Sequence, residues 1–324
     1  MGSPSSFANA KDLKFVFTLG SWQKNNLFVS GGSTYNTITI RGLRASANIE
    51  NAGGAMLGTL NAQIYGVPMS DINKLTSQQW KRALIGAGST DFSEYTVQVF
   101  AIDGTQESLI YNGDVLNCWG DFTGIPDACL NVQAVLGYTA LVNPANPLSI
   151  SADTTVGTAM KKIASEMGFS FQNTSASGTL LNTTVKKGSY FGNTAMEQAR
   201  SLMDAYHFWM YLDSSTNPPT LAIVPQGDAR QQQAVPLITP QTGLQGYPLL
   251  SSTGVTFQTL FNPSILLGAE LQIGNSSVLP ANGTWTAVSI SHALSSQMPG
   301  GPWFTAVQAV SSKFGQLNEL LGAA

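Results

Sequence analysis

Thr37-Ile38-Thr39-Ile40-Arg41-Gly42-Leu43-Arg44-Ala45-Ser46-Ala47-Asn48-Ile49 is the stretch on which the fold turns. Ile38 and Ile40 alternate with threonines, and beyond Gly42 the apolar set changes phase to Leu43, Ala45, Ala47 and Ile49. A period of two belongs to a strand with one face on a core, and a phase change at a glycine predicts a bulge in a continuing strand. Gly53-Gly54 then turn the chain into a second such face at Met56, Gly58, Leu60, Ala62 and Ile64. Further strands fit Tyr95 to Ile102 and Leu109 to Tyr111. One helix interrupts them at about Ser70 to Trp80, with Ser70 as N-cap and Ile72, Leu75 and Trp80 on one side.

The middle of the chain changes period. Val156, Met160, Ile163 and Met167 recur at helical spacing, with Asp153 or Thr154 to cap the start and Gly168 to end it. A capping box at Thr194-Ala195-Met196-Glu197 opens a second helix through Ala199, Leu202, Met203 and Tyr206. Strands follow at Phe208 to Leu212 and Leu221 to Val224, and Gln231-Gln232-Gln233 between prolines reads as a connector. The last segment returns to alternation at Val255, Phe257 and Thr259, at Ile265 with Leu267, at Leu271 with Ile273, at Val288 with Ile290, and from Trp303 to Ala309. The predicted fold is mainly β with an α+β module: two β-barrel or sandwich domains flanking a small α+β insertion. The boundaries are 1–115 for the first β domain, 116–152 for a β extension, 153–240 for the module and its linker, and 241–324 for the second β domain with its tail.

Charge is scarce. Only 10% of the 324 residues are Asp, Glu, Lys or Arg, against about a quarter in ordinary soluble domains, and from Gln241 to Ser312 the one formal charge is Glu270. Repulsion between like-charged molecules keeps most proteins apart. A surface of uncharged polar side chains instead suits repeated docking, since it hydrogen-bonds without the desolvation cost of a poorly paired ion. The net charge of -3 argues against specific DNA binding, and no apolar run is long enough for a membrane helix. The start of the chain has no secretory pattern, which points to synthesis and assembly in a cytosol. Cys118 and Cys129 are spaced for neither a zinc site nor a redox pair and are expected as buried free thiols.

Little material for catalysis is present. His207 is expected as a packed or interfacial imidazole, and His292, facing the same way as Val288 and Ile290, as a hydrogen-bonded structural residue. Asp91 with Glu94, or Asp103 with Glu107, could serve as the acid pair of a glycosidase, but their Gly- and Ser-rich surroundings favour solvated loop ends. Gly86-Ala87-Gly88 lacks the lysine and the setting of a phosphate loop. Trp285, Trp303 and Phe304 could stack on sugars, although alternating strands bury such residues more often. No catalytic residue, cofactor or metal site is expected.

The segment from Gly254-Val255-Thr256-Phe257 through Phe261-Asn262-Pro263 to Gly268 resembles the C-terminal region of baseplate hub proteins from contractile-tailed bacteriophages. Asn282-Gly283-Thr284-Trp285, His292-Ala293-Leu294 and Pro299-Gly300-Gly301-Pro302-Trp303-Phe304-Thr305 follow in the family's order. Gly42-Leu43-Arg44 to Ile64 resembles the hub's first β domain. The resemblance implies a structural, non-enzymatic virion protein: a homotrimeric ring joining a hexameric tail tube to a trimeric spike, each chain supplying two tube-like units around the DNA-ejection channel. It implies contacts with the tail tube protein, the central spike, other baseplate components and the tape measure, only non-specific passage of DNA, and no stable membrane insertion. It assigns a structural and interface role to Phe257, Phe261, Asn262, Pro263, Gly268, Trp285, His292, Pro299, Gly300, Gly301, Trp303 and Phe304. A tail adhesin binding carbohydrate through exposed aromatics and a cell-wall-degrading tail enzyme are the competing readings.

Overall fold

The computed structural model describes residues 10–19, 37–54, 56–85, 95–124, 127–151, 153–173, 183–185 and 189–311. Asp91, Glu94 and Gly86-Ala87-Gly88 lie outside them. The first β unit contains β1 (Lys11–Leu19), β2 (Thr37–Arg41), β3 (Ala45–Ala52), β4 (Thr59–Tyr65), α1 (Met69–Ile85), β5 (Tyr95–Asp103), β6 (Gln106–Asp121) and β7 (Cys129–Val135). Its strands pair in the order β3-β4-β7-β6-β5-β1-β2. Because β2 and β3 are one run bent at Gly42, where φ is +71, that order closes into a barrel. A left-handed φ at this corner is cheap only for glycine.

Phe15, Phe17, Ile49, Leu60, Ile64 and Leu130 fill the barrel interior and are all essentially fully buried. Removing each of these side chains from water is worth about 1.5–3 kcal/mol. α1 plugs one end with Ile72 and Leu75. The helix is longer than its sequence signal, and Ser70 lies within its first turn. The opening amides of Asp71 and Ile72 bond the carbonyl of Pro68 instead. β6 crosses residue 115 and β7 lies between β4 and β6, so the barrel continues past the point where the sequence placed a boundary.

A short helix that the sequence did not announce, α2 (Tyr138–Val142), leads into the module, with the Asp114 carboxylate accepting from the Thr139 amide and hydroxyl, both at 2.8 Å. The module comprises β8 (Leu148–Ile150), α3 (Val156–Glu166), β9 (Ser170–Asn173), β10 (Ser189–Phe191), α4 (Ala195–Tyr206), β11 (Phe208–Asp213) and β12 (Thr220–Pro225). Thr155, one residue beyond the expected caps, caps α3, while the capping box at Thr194 and Glu197 opens α4 as its sequence indicates. The three strands pair as β11-β12-β9. Alternation gives this sheet two apolar faces: Met210, Leu212, Leu221 and Ile223 pack on the helices, and Tyr211, Ala222 and Val224 pack on the second β unit. His207, expected as packed or interfacial, ends α4 in the left-handed region with φ 51 and is exposed, so it is not packed within the chain.

The second β unit contains β13 (Leu237–Ile238), β14 (Leu244–Leu250), β15 (Val255–Leu260), β16 (Glu270–Ile273), β17 (Gly283–Ser296) and β18 (Trp303–Ser311). β13 and β14 are joined by one 3-10 turn with Gly243 at φ +114, and they pair with β16 and β15 respectively. The order β14-β15-β18-β17-β16-β13 thereby closes a second ring. Ile265 and Leu267, read from the sequence as a strand, are buried in the connection between β15 and β16.

The two rings correspond. β14, β15, β18, β17 and β16 follow the order of β3, β4, β7, β6 and β5, and among the described strands the second ring lacks only a counterpart of β1. Even the bulges coincide: Leu116 is the extra residue of β6 opposite β7, and Val288 is the extra residue of β17 opposite β18. This bulge takes Val288 out of the buried phase that Ile290 and His292 share. β17 also pairs with β3 from Ser289↔Ala52 to Ser296↔Ala45, fusing both rings into one 13-stranded sheet.

Candidate functional site

The run β14-β15-β18-β17-β3-β4-β7-β6 presents one face to the two barrel interiors and the other to the outside. On the outside, registered rows cross the seam between the rings. One row is Leu260, Phe304, Ala293, Asn48, Asn61, Gln133 and Asn117. Its neighbours run Gln245, Gln258, Ala306, Ser291, Glu50, Thr59, Val135 and Asp114, and Ser295, Ser46, Gln63, Asn131 and Trp119. Glu50 and Asp114 are the charged residues in these three rows, and Asp114 is buried against Thr139. The amides lock one another: Gln63 donates to Asn131 at 3.1 Å, and Asn117 donates to Gln133 at 3.0 Å.

Ion pairs gather on β1 and the strands beside it, where Lys11 also borders a depression shared with Gln245, Gln258 and Phe304 of the neutral face. Lys11 pairs with Asp103 at 2.7 Å, Lys14 with Glu107, and Arg41 with Asp12 at 3.0 Å. Asp103 and Glu107, expected as solvated loop ends, are therefore held on the outer wall by lysines of β1. Their partners lie more than ninety residues away, which no local reading could supply. The neutral face of the first unit was missed because charge was counted per segment; the residues alternating with Ala45, Ala47, Ile49, Leu60 and Ala62 carry the signal.

Some of the motif residues, Phe261, Trp303, His292 and Gly268, lie where the two rings and the module meet, and the others make contacts within the second unit. Phe261 and Trp303 come from the second unit yet belong to the core of the first, in edge-to-face contact at 5.7 Å. Phe261 also stands edge-on to His292 at 5.5 Å, and the His292 Nδ1 shares a 2.9 Å hydrogen bond with the Thr305 hydroxyl. Full burial pushes the His292 pKa down to about 4. Asn262 accepts from the Ser264 amide at 3.0 Å and from its hydroxyl at 2.6 Å, which shapes the turn through Pro263. Gly268, at φ +78, lies so close to Tyr211 that an added Cβ would stand 2.5 Å from the ring. Phe257 lies in the second core, while the Trp285 indole donates to the Ala281 carbonyl at 2.9 Å. Pro299, Gly300 and Gly301 turn β17 into β18, the Gly301 amide bonding the Met298 carbonyl at 3.0 Å, and Phe304 lies half-buried on the neutral face.

Arg230 secures the segment that leaves the module. Its guanidinium meets Asp213 at 2.7 Å and Gln172 at 2.6 Å, with both charged side chains almost fully buried. The expected connector is thus pinned along β16, where the Gln272 amide also bonds the Pro236 carbonyl at 2.9 Å. Cys118 and Cys129 are buried thiols that form no disulfide, and burial lifts the Cys118 thiol to about 12. Among the described residues no cluster of His, Cys, Asp or Glu could hold a metal ion, and no helix is long and apolar enough to cross a membrane.

No curated protein sequence matches the chain. Solved structures share its fold at low identity. The tail protein of Neisseria meningitidis MC58 has a TM-score of 0.57 at 9% identity, covering 94% of this chain and 98% of that one. The 43 kDa tail protein of prophage MuSo2 from Shewanella oneidensis gives 0.54 at 8%, covering 92% and 98%. The E. coli c3393 protein, a component of the type VI secretion system, gives 0.55 at 9%, covering 84% and 75%. The profile of baseplate hub gp41 matches residues 26–307, most of the sequence, and so this chain, a β-rich structural protein of the phage tail, belongs to the baseplate hub gp41 family.

Proposed function

We propose that three copies of this chain form a ring that joins the tail tube to the central spike, with the neutral sheet face turned toward the channel through which DNA leaves. The observation that carries this reading is the charge-poor face running across both rings, with Glu50 its one exposed charge in the three central rows and Asp114 buried against Thr139. DNA binds proteins without sequence preference chiefly through Lys and Arg on its phosphates. A wall of locked amides and hydroxyls offers passing DNA no such foothold. Two rings of matching strand order per chain give three chains six similar units, which fits a sixfold tube on one side and a threefold spike on the other. The ion-paired wall and the module are left to face other baseplate proteins, and the tape measure would meet the channel mouth. Assembly takes place in the host cytoplasm.

The role is structural rather than catalytic. Asp103 and Glu107 are engaged with lysines, and the Trp285 and Trp303 rings are committed to packing, so neither a glycosidase pair nor a sugar platform is available among them. The test is the number of copies in assembled tails, by mass measurement or imaging. Three per ring supports the reading, and two or six overturns it.

A further inference from the structure

The joint between β17 and β3 is made once inside the chain, and the correspondence of the rings describes where it must be made a second time. β17 leaves β16 at Thr286 and, past its bulge, takes β3 on the vacated side, with Ser291 opposite Glu50 and His292 opposite Ile49. β6 is the counterpart of β17. Its pairing with β5 stops at Asp114, and beyond the bulge it continues to Asp121 beside β7. The counterpart of β3 is β14, which pairs with β15 alone among the described strands. We infer that β14 of a second copy of this chain adds antiparallel to β6 near Trp119–Asp121, so that the joint inside each chain is repeated between chains.

The register follows from the residues already paired. Cys118 and Val132 correspond to Ile290 and Val307, so Trp119 replaces Ser291 and Gly120 replaces His292. Leu60 and Ile49 correspond to Val255 and Leu250, so Ser251 replaces Glu50. Gly120 then faces Leu250 of the next copy, and Trp119 faces Ser251. The exposed apolar side chains lie where this joint needs them: Trp119 at 40% and Phe122 at 39% on one edge, Tyr247 at 76% and Leu249 at 70% on the other. Tyr247 sits in the bulge of β14 that falls opposite Phe122. Beside Phe122 opens a groove of about 490 Å³ with Tyr65, Met69 and Ile72 on its walls and the Arg44–Asp127 ion pair at its side, which can receive that ring and give its hydroxyl a polar partner. An edge strand and a groove on one copy thus meet a second edge and its tyrosine on the next, a head-to-tail contact that closes when its rotation divides the circle. The number of copies rests on the ring proposed above, whereas the joint itself does not.

The test is a disulfide between copies. Trp119→Cys and Ser251→Cys in one chain, assembled into tails and treated with a mild oxidant, should link neighbours, because facing residues on paired strands bring Cα atoms within the roughly 4.4–6.8 Å that a disulfide spans. Each single variant measures the background from the buried Cys118 and Cys129. Linked chains ending at three support both joint and ring; linked chains ending at another number support the joint and refute the threefold ring. No linkage in tails that hold three copies overturns the joint and leaves the ring standing, and equal linkage from Trp119→Cys with Thr253→Cys overturns the register. If the double variant does not assemble, hydrogen exchange on the unmodified protein decides. The amides within 119–121 and 249–250 that point away from β7 and β15 should gain at least tenfold protection on assembly, and unchanged exchange overturns the joint.

Discussion

Replacing Phe261 by Ala should cost more stability than its place in a loop suggests. The ring is 2% exposed, sits in the core of the first barrel although it follows the last residue of β15, and stands edge-on to both His292 and Trp303. Truncating a buried Phe removes the transfer energy of the ring and leaves a cavity, together about 3–5 kcal/mol. The two edge contacts, about 0.5–1.5 kcal/mol each, place this site toward the upper part of that range. Because the ring spans the seam between the units, the loss should appear in the unfolding of both. The assay is urea unfolding followed by tryptophan fluorescence and by far-UV circular dichroism, compared at equal m. A loss below about 1 kcal/mol, or a loss confined to one of two separated transitions, would refute the idea that Phe261 holds the units together.

Four further outcomes are expected. His292 has a folded pKa of about 4 against an ordinary value near 6.5. Its neutral form is therefore favoured by folding: the contribution is complete above pH 6.5 and falls away as the pH drops to 4, on the order of 3 kcal/mol in all. His292→Gln should flatten that part of the stability profile, and an unchanged slope counts against it. Arg230→Ala, which strands Asp213 in a buried site, should destabilise by about 3–5 kcal/mol, whereas Arg230→Met with Asp213→Leu should recover most of the loss in thermal melts. Gly268→Ala combines a left-handed backbone with a clash against Tyr211, and a loss under about 1 kcal/mol in urea would show that the contact yields. Lysine at Asn61, Gln63 and Gln133 together should slow DNA ejection in a salt-dependent way while leaving assembly intact; ejection at the normal rate would argue that this face does not meet DNA.

Strands with one buried face were legible because the period of two marks them directly, and Gly42 was legible because the phase changes at a residue free to adopt a positive φ. The capping box at Thr194 was equally plain. Ring closure was not, since nothing local says that β2 and β3 are one bent run with different partners, or that β17 reaches back to β3 across more than two hundred residues. Ion pairs such as Lys11 with Asp103, and the buried contact of Arg230 with Asp213, depend on the same long-range geometry. Ile265 and Leu267 alternated like a strand because a buried connection also needs apolar side chains. Of the motif residues, composition revealed only their neutral setting; the work of Phe261, Trp303, His292 and Gly268 at the seam between rings and module is a property of the assembled fold.

An image of the assembled baseplate at side-chain resolution decides the central point. Three copies around the axis, with Asn48, Asn61, Gln133 and Ser291 lining the lumen and the Lys11 to Asp103 wall outside, is the expected result. A different copy number, or a channel lined by the ion-paired wall or by the helices of the module, would contradict it.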